Sequence, residues 1–375
     1  MTDLDLLVIG NGFDLACGLK TSYNDFHSAL KASIESKTDE FYKYPGMEYT
    51  KSFYKNDNII KFIVECQNLK ESNNFFVNYF YNCKEHIEWN RVETEIEKIV
   101  ILFDFILDSL DKYVYSNKEC QRFDASNISN CLSVLSNFNE YLGIKIRVDS
   151  FHLKDGSVKH YITLIGFNDN ETKDKFIRVQ ELKEELPQKL FDDLLDFSNL
   201  FSLYLESLID NPTIKKPNFK FKKVISYNYT STIKYYIGNE DIDICYIHGN
   251  IKDKNIIFGP KPLSFKIPAF NIFSKSAQCL YRNTDYMELV NDYISKTDKN
   301  NIGFFGHTFD LADSSTLKLI LGNKEKNNMI YIYYYDDKSK RNIISNLMQI
   351  LGAEDFEDRV RNNRLCFLKC ENVFK

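Results

Sequence analysis

The spacing of apolar and polar positions divides the chain into two kinds of territory. Leu4–Ile9 is a nearly continuous apolar run, broken only by Asp5, as expected of a parallel strand buried on both faces. Gly10-Asn11-Gly12 stops it. Phe13 to Leu19 reads as the opening turns of a helix. A second helix begins at Thr21 or Ser22 and puts Tyr23, Phe26 and Leu30 on one face. From about Asp57 to Tyr115 the spacing is helical, most clearly over Asn58–Leu69 and Trp89–Leu110. Residues 116–140 are polar and weakly patterned. Ile144, Ile146 and Val148 then alternate, Asp155-Gly156 offers a turn, and Tyr161–Phe167 is strand-like, which predicts a β-hairpin within 143–168. Helical spacing returns over Glu181–Ile209, with leucines at 182, 186, 190 and 194, until Asn211-Pro212 and Lys216-Pro217 end it.

Beyond Pro217 short apolar runs alternate with helical segments. Strands are predicted over Lys223–Tyr227, Ile242–Ile247, Asn301–Phe305, Met329–Tyr335 and Arg364–Leu368. Helices are predicted over Thr230–Ile237, Ser276–Tyr293, Ser314–Leu321 and Ser339–Leu351, and Asn255–Phe258 is a short apolar stretch. Such alternation implies a parallel sheet. With the N-terminal strand it predicts an α/β fold: a Rossmann-like parallel sheet built from residues 1–40 and 217–375, with residues 41–216 a large, mostly helical insertion or cap. A chain of 375 residues is longer than the ~250–300 that one core usually serves, which agrees with two parts.

Composition narrows the function classes. Lys plus Arg number 48 against 53 Asp plus Glu, a formal net charge of −5. Without a basic block, bulk binding of nucleic-acid backbone is not expected. Nine cysteines lie scattered at 17, 66, 83, 120, 131, 245, 279, 366 and 370, which suits reduced thiols better than a disulfide framework or a zinc site. Met1–Ile9 lacks the basic start and long apolar stretch of a signal peptide, and no apolar window reaches membrane length. A soluble cytoplasmic protein with no metal and no membrane partner is expected.

Five places could carry chemistry, four of them directly after predicted strands. Gly10-Asn11-Gly12-Phe13-Asp14 is a strand, a glycine turn and a helix start, a combination that can aim backbone N–H groups at a phosphate. It lacks the third glycine of the dinucleotide fingerprint, so an ordinary strand–helix turn stays open. Asn228, within Ser226-Tyr227-Asn228-Tyr229-Thr230, can hold a ribose hydroxyl or a water with its amide, or merely shape the turn, while Thr230 can cap the next helix. His248 suits a general base or a structural histidine. In the fourth place, Gly306 could cradle part of a dinucleotide. His307, Asp310 and Asp313 could reach ribose hydroxyls, and the two acids could equally be helix caps. The fifth place is Trp89 with Glu93 and Glu97, where the chemical reading stands beside that of a packed tryptophan and a solvated helix face.

LVIGNGFDLACGLKTSYNDF, WNRVE, SYNYTST, IHGN with IIFG after it, and FGHTFDLAD resemble, in this order, the blocks of AbiH-type phage abortive-infection proteins. That family in turn resembles the sirtuin-like NAD-binding fold. The resemblance aligns Gly10, Gly12, Ser22, Asp25 and Phe26 with its glycine turn and following loop. It aligns Asn228, Tyr229 and Thr230 with its Asn-x-Asp stretch, with Thr in place of the acid, and His248-Gly249 with its His-Gly. What this implies is anti-phage defence by hydrolysis of NAD to nicotinamide and ADP-ribose. NAD would be a substrate with no further cofactor, and Asn228 and His248 the catalytic candidates. ADP-ribosyl transfer, and a sensor module that acts through a partner without turnover, remain the alternatives. A phage-derived trigger and homo-oligomerisation stay open.

Overall fold

The computed structural model describes residues 3–35, 57–83, 89–115, 121–125, 141, 144–153, 158–167, 175–208, 220–237, 242–260, 263–289, 301–322 and 328–370. Six parallel strands form the core sheet: β1 (Asp3–Ile9), β5 (Lys220–Ser226), β6 (Ile244–Tyr246), β7 (Asn301–Phe305), β8 (Met329–Tyr334) and β9 (Leu365–Lys369). Their order across the sheet is β6-β5-β1-β7-β8-β9. Counting only these six, that is 3-2-1-4-5-6, the order of doubly wound dinucleotide-binding sheets, in which ligands sit at the carboxyl ends where the order reverses. Here the reversal falls between β1 and β7.

The sheet is covered on both faces. On one side Leu6, Val8, Ile225, Ile302, Phe304, Ile330 and Ile332 meet Leu317, Ile320 and Leu321 of helix α9 (Ser314–Leu321) and Ile343, Leu347 and Ile350 of α10 (Asp337–Leu351). On the other, Leu7, Ile9 and Val224 pack with Phe13 of the five-residue helix α1 (Gly12–Ala16) and Ile233 of α7 (Thr232–Ile237). Fully buried strands of this kind carry continuous apolar runs, which is why they were legible.

The helical part is one aromatic-rich cluster. It joins α2 (Tyr23–Ile34), α3 (Asp57–Glu71), α4 (Phe75–Asn82), α5 (Trp89–Tyr115) and the 34-residue α6 (Lys175–Leu208). Ile256, Phe258, Phe270 and Phe273 from the segment after β6 enter the same cluster. Polar ties fix it to the core. Asp104 of α5 accepts the backbone N–H groups of Lys266 and Ile267, at 3.1 and 2.8 Å, and the Tyr204 hydroxyl of α6 donates to the Lys20 carbonyl at 2.7 Å.

The predicted hairpin is present as β3 (Ile144–His152) paired antiparallel with β4 (Val158–Phe167), and β2 (Gln121–Asp124) adds a third strand on β4. Asp155-Gly156, the two proline breaks, and the end of the helix expected to run to Tyr293 lie outside the described residues. Within them that helix is α8 (Lys275–Tyr281), stopped at Arg282. Asn255–Phe258 forms no strand. A further helix, α11 (Ala353–Arg361), was not expected. Among the described residues no helix is long and apolar enough to cross a membrane.

Candidate active site at the carboxyl edge of the sheet

Strand register brings four loops to one level. Ile9 lies opposite Ser226 and Phe305, and Ser226 lies opposite Tyr246. Residues 10, 227, 247 and 306 therefore leave the sheet side by side, although the sequence scatters them over nearly 300 positions. The four strand-end places are thus brought to one edge, and a fifth group reaches it from the cap.

The centre is a buried ionic network around a lysine that the sequence reading passed over. Lys275 Nζ lies 2.6 Å from Asp313 Oδ1 and 2.7 Å from Glu93 Oε1. His248 Nε2 approaches the same Asp313 oxygen at 3.3 Å, and His307 Nε2 stands 3.9 Å from the other. Tyr227 packs edge-on against both imidazoles, with ring centroids 5.2 and 4.3 Å away, and its hydroxyl shares a 2.7 Å hydrogen bond with that of Thr316. Glu93 therefore does not belong to a solvated helix face. The backbone of Trp89 starts α5, and its side chain lies outside the described residues.

Only its place at a helix start hints at Lys275 locally. It is the first residue of α8, behind the cap Ser274. A cation there opposes the helix dipole and needs an anionic partner. It has two.

Electrostatics give the members different states. Burial drives the Asp313 carboxyl up, but Lys275 and His248 outweigh it and hold it well below the usual range, so it is an anion. Burial raises Glu93 to about 7, with Lys275 pulling against it, so this carboxyl exchanges its proton near neutrality. Burial acts against the charge on Lys275, yet Asp313 and Glu93 raise its pKa overall. Burial and then Lys275 lower His248. Burial takes His307 down to about 4.

The two histidines are not equivalent. His307 Nδ1 accepts the Phe309 N–H at 2.9 Å, which leaves its proton on Nε2 and removes Nδ1 as a base. His248 presents Nε2 to the Asp313 carboxylate, which orients the ring and leaves Nδ1 as its basic nitrogen.

Beside the network is a narrow cleft of about 210 Å³, part of it open to solvent, lined by Asn11, Asp14, Thr21, Tyr227, Asn228, Tyr229 and Thr230 and closed by Phe201 and Leu205 of α6. Tyr227 thus faces the cleft and also touches the network. Thr230 donates to Asp14 Oδ2 at 2.6 Å, and Thr21 donates to Asn11 Oδ1 at 2.8 Å. An acid, Asp14, thus stands beside Thr230 in space. Asn228 is 3 % exposed, and both atoms of its amide lack a hydrogen-bond partner.

Other expected contacts take different roles. Backbone N–H groups of the glycine turn are already engaged: Gly10 with the Phe305 carbonyl, Gly12 with that of Gly306 and Phe13 with that of Gly10. A Cβ on Gly10 or Gly12 would come within 2.7 Å of the Gly306 backbone. These glycines let two loops touch rather than leaving their N–H groups directed at a phosphate. Phe13 lies wholly buried against Phe305. Ser22 caps α2 by accepting the Asp25 N–H, and its hydroxyl bonds the Asp25 carboxylate. Phe26 is wholly buried among Phe62, Phe197, Phe201 and Tyr204. Asp310 caps the turn before α9 by accepting the Ala312 N–H at 2.9 Å. Among the described residues no His, Cys, Asp and Glu side chains are grouped to hold a metal ion.

Comparison with curated proteins and with solved structures finds no match. A family model described as "Bacteriophage abortive infection AbiH" matches residues 6–335, a span that contains the glycine turn, Glu93, Asn228, His248, Lys275 and Asp313. The chain belongs to the AbiH family of bacteriophage abortive-infection proteins.

Proposed function

We propose that this sheet edge is the active site of an NAD glycohydrolase, which splits NAD into nicotinamide and ADP-ribose as its part in abortive infection. The observation that carries the reading is the buried Glu93–Lys275–Asp313–His248 network at the carboxyl edge of a sheet in 3-2-1-4-5-6 order. Perturbed ionisable groups gathered at a cleft favour catalysis over structure. The strand order favours a nucleotide. The reading takes the core to be sirtuin-like, with Gly10, Gly12, Asn228 and His248 falling along one edge in that order.

Nicotinamide leaves as a neutral molecule and needs no acid. The protein must stabilise positive charge on the ribosyl carbon and deprotonate a water. Asp313, ionised at all ordinary pH, supplies negative charge and orients His248. His248 takes the water proton at Nδ1, and Glu93, when ionised, adds negative charge to the network through Lys275. Asn228 fixes the sugar or the water with its unpaired amide. Phe201 and Leu205 close the cleft too tightly for a whole dinucleotide, so α6 must draw back when substrate enters.

The test is chromatographic detection of nicotinamide after incubation of purified protein with NAD, alone and with phage lysate as the trigger. Stoichiometric release of nicotinamide and ADP-ribose is expected. ADP-ribose retained on protein would indicate transfer instead. The closed cleft also favours a second reading, a sensor whose cap moves on ligand binding, and NAD binding without release under either condition would establish it.

A further inference from the structure

The cleft contains a feature that the network chemistry does not use. Asp14 Oδ1, Asn228 Oδ1 and Asn228 Nδ2 are all buried; the Asn228 amide lies beside the Asp14 carboxylate and favours its charge, but none of the three atoms has a well-formed hydrogen bond. Buried polar atoms in this condition are unusual and costly. These three come from segments that follow different strands, helix α1 after β1 and the loop after β5, and both residues line the same cleft. The second Asp14 oxygen is held by the Thr230 hydroxyl, which in turn accepts from Thr232 at 2.9 Å. That relay fixes the carboxylate plane and leaves Oδ1 unpaired.

We propose that Asp14 and Asn228 form a subsite for the vicinal diol of a ribose, so that the bound nucleotide is read as a ribonucleotide by its sugar. This deepens the nucleotide reading above and rests on it. Two acceptor oxygens suit two adjacent hydroxyl donors, and the amide Nδ2 donates back to a sugar oxygen. As it stands the cleft is held too narrow for a ring by Phe201 and Leu205, so the sugar enters with the same outward movement of α6 that substrate requires. Tyr227, Tyr229 and Phe201 give that ring apolar walls. Asp14 also repels phosphate, so the pyrophosphate lies outside this pocket.

The test uses the intact protein and ligands it cannot cleave. Calorimetry would compare ADP-ribose, its two analogues deoxygenated at the 2-position of one or the other ribose, and nicotinamide alone. One deoxy analogue is expected to bind roughly tenfold or more weakly than ADP-ribose, as when a buried acceptor is left unpaired. Asp14→Asn is expected to shrink that difference to about twofold while keeping a cooperative thermal transition. The comparison on unaltered protein stands even if Asp14→Asn fails to fold. Equal affinity for all three sugars, competition by nicotinamide for the ADP-ribose site, or no ADP-ribose binding would each overturn the subsite. Discrimination between the sugars without NAD cleavage would keep the subsite and remove the hydrolase, and cleavage without discrimination would do the reverse.

Discussion

Lys275 Nζ stands 2.7 Å from Glu93 Oε1, and this ion pair joins cap helix α5 to the edge of the core sheet. The same ammonium holds Asp313 of the core at 2.6 Å. Lys275→Met would leave the buried Asp313 and the half-buried Glu93 carboxyls close together without a cation. A loss of about 3–5 kcal/mol is expected, as for other broken buried pairs. Urea denaturation at pH 7.5 measures it. A variant as stable as the parent there would mean that the network is not held together by this charge.

Asp14 gives a pH dependence of stability with a definite sign. Burial raises its folded-state pKa from 3.8 to about 6. Between these values the folded protein holds a proton that the unfolded chain has released, so the Asp14 contribution falls as pH rises and is lowest above about 6. Asp14→Asn removes this dependence. Relative to the parent, the variant should gain about 2–3 kcal/mol between pH 3.5 and pH 7.5. Parallel stability curves across that range would show that Asp14 ionises freely in the native state.

Glu93 and His248 separate in kinetics. If the network must carry the Glu93 charge, nicotinamide release should rise with pH through about 7. Glu93→Gln should flatten that limb. His307, already down at about 4, should add no limb in this range. His248→Ala should slow release ~100- to 10,000-fold. A loop residue at a strand end would ordinarily tolerate truncation within roughly 1 kcal/mol. His248, however, is 6 % exposed and paired with Asp313, so about 1–3 kcal/mol of stability should also be lost. Rates must therefore be taken well below the variant's melting temperature. Full activity in His248→Ala would reassign the base.

Gly306 should be intolerant of any side chain. Its φ is +67°, and an added Cβ would lie 2.2 Å from the Phe13 backbone nitrogen. Gly306→Ala should cost more than about 3 kcal/mol or prevent folding, read as loss of the thermal transition. Gly12→Val should also fail through the fold, because its Cβ would meet Gly306 Cα at 2.7 Å. A Gly12→Val protein that melts normally but no longer binds nucleotide would restore the turn to the role of anion cradle.

Most core strands could be read in the sequence because a strand buried on both faces announces itself as an apolar run, as Leu4–Ile9 and Asn301–Phe305 do. The hydrophilic helix α11 could not, since the side chain it buries completely is Arg359, tied to Asp355 and the Gly322 carbonyl. In the site, residues beside glycine turns were legible, because loop chemistry at strand ends is local. Lys275 was not. Its function comes from two carboxylates 182 residues before it and 38 after it, and no local pattern records such a meeting. Glu93 was seen, but only the fold shows that it points inward.

The central strand also sets an order on how the molecule comes into being. β1 pairs with β5, whose partner for Asp3 is Lys220, and with β7, where Ile9 meets Phe305. As the ribosome extends the chain, the cap helices are finished before either neighbour of β1 exists. Pairings across such sequence distances close late and slowly. Until then the apolar N-terminal run has no sheet to join and is open to chaperones or to aggregation. The network is completed later still, when Asp313 has emerged. A chain cut short before Asp313 therefore carries no complete network.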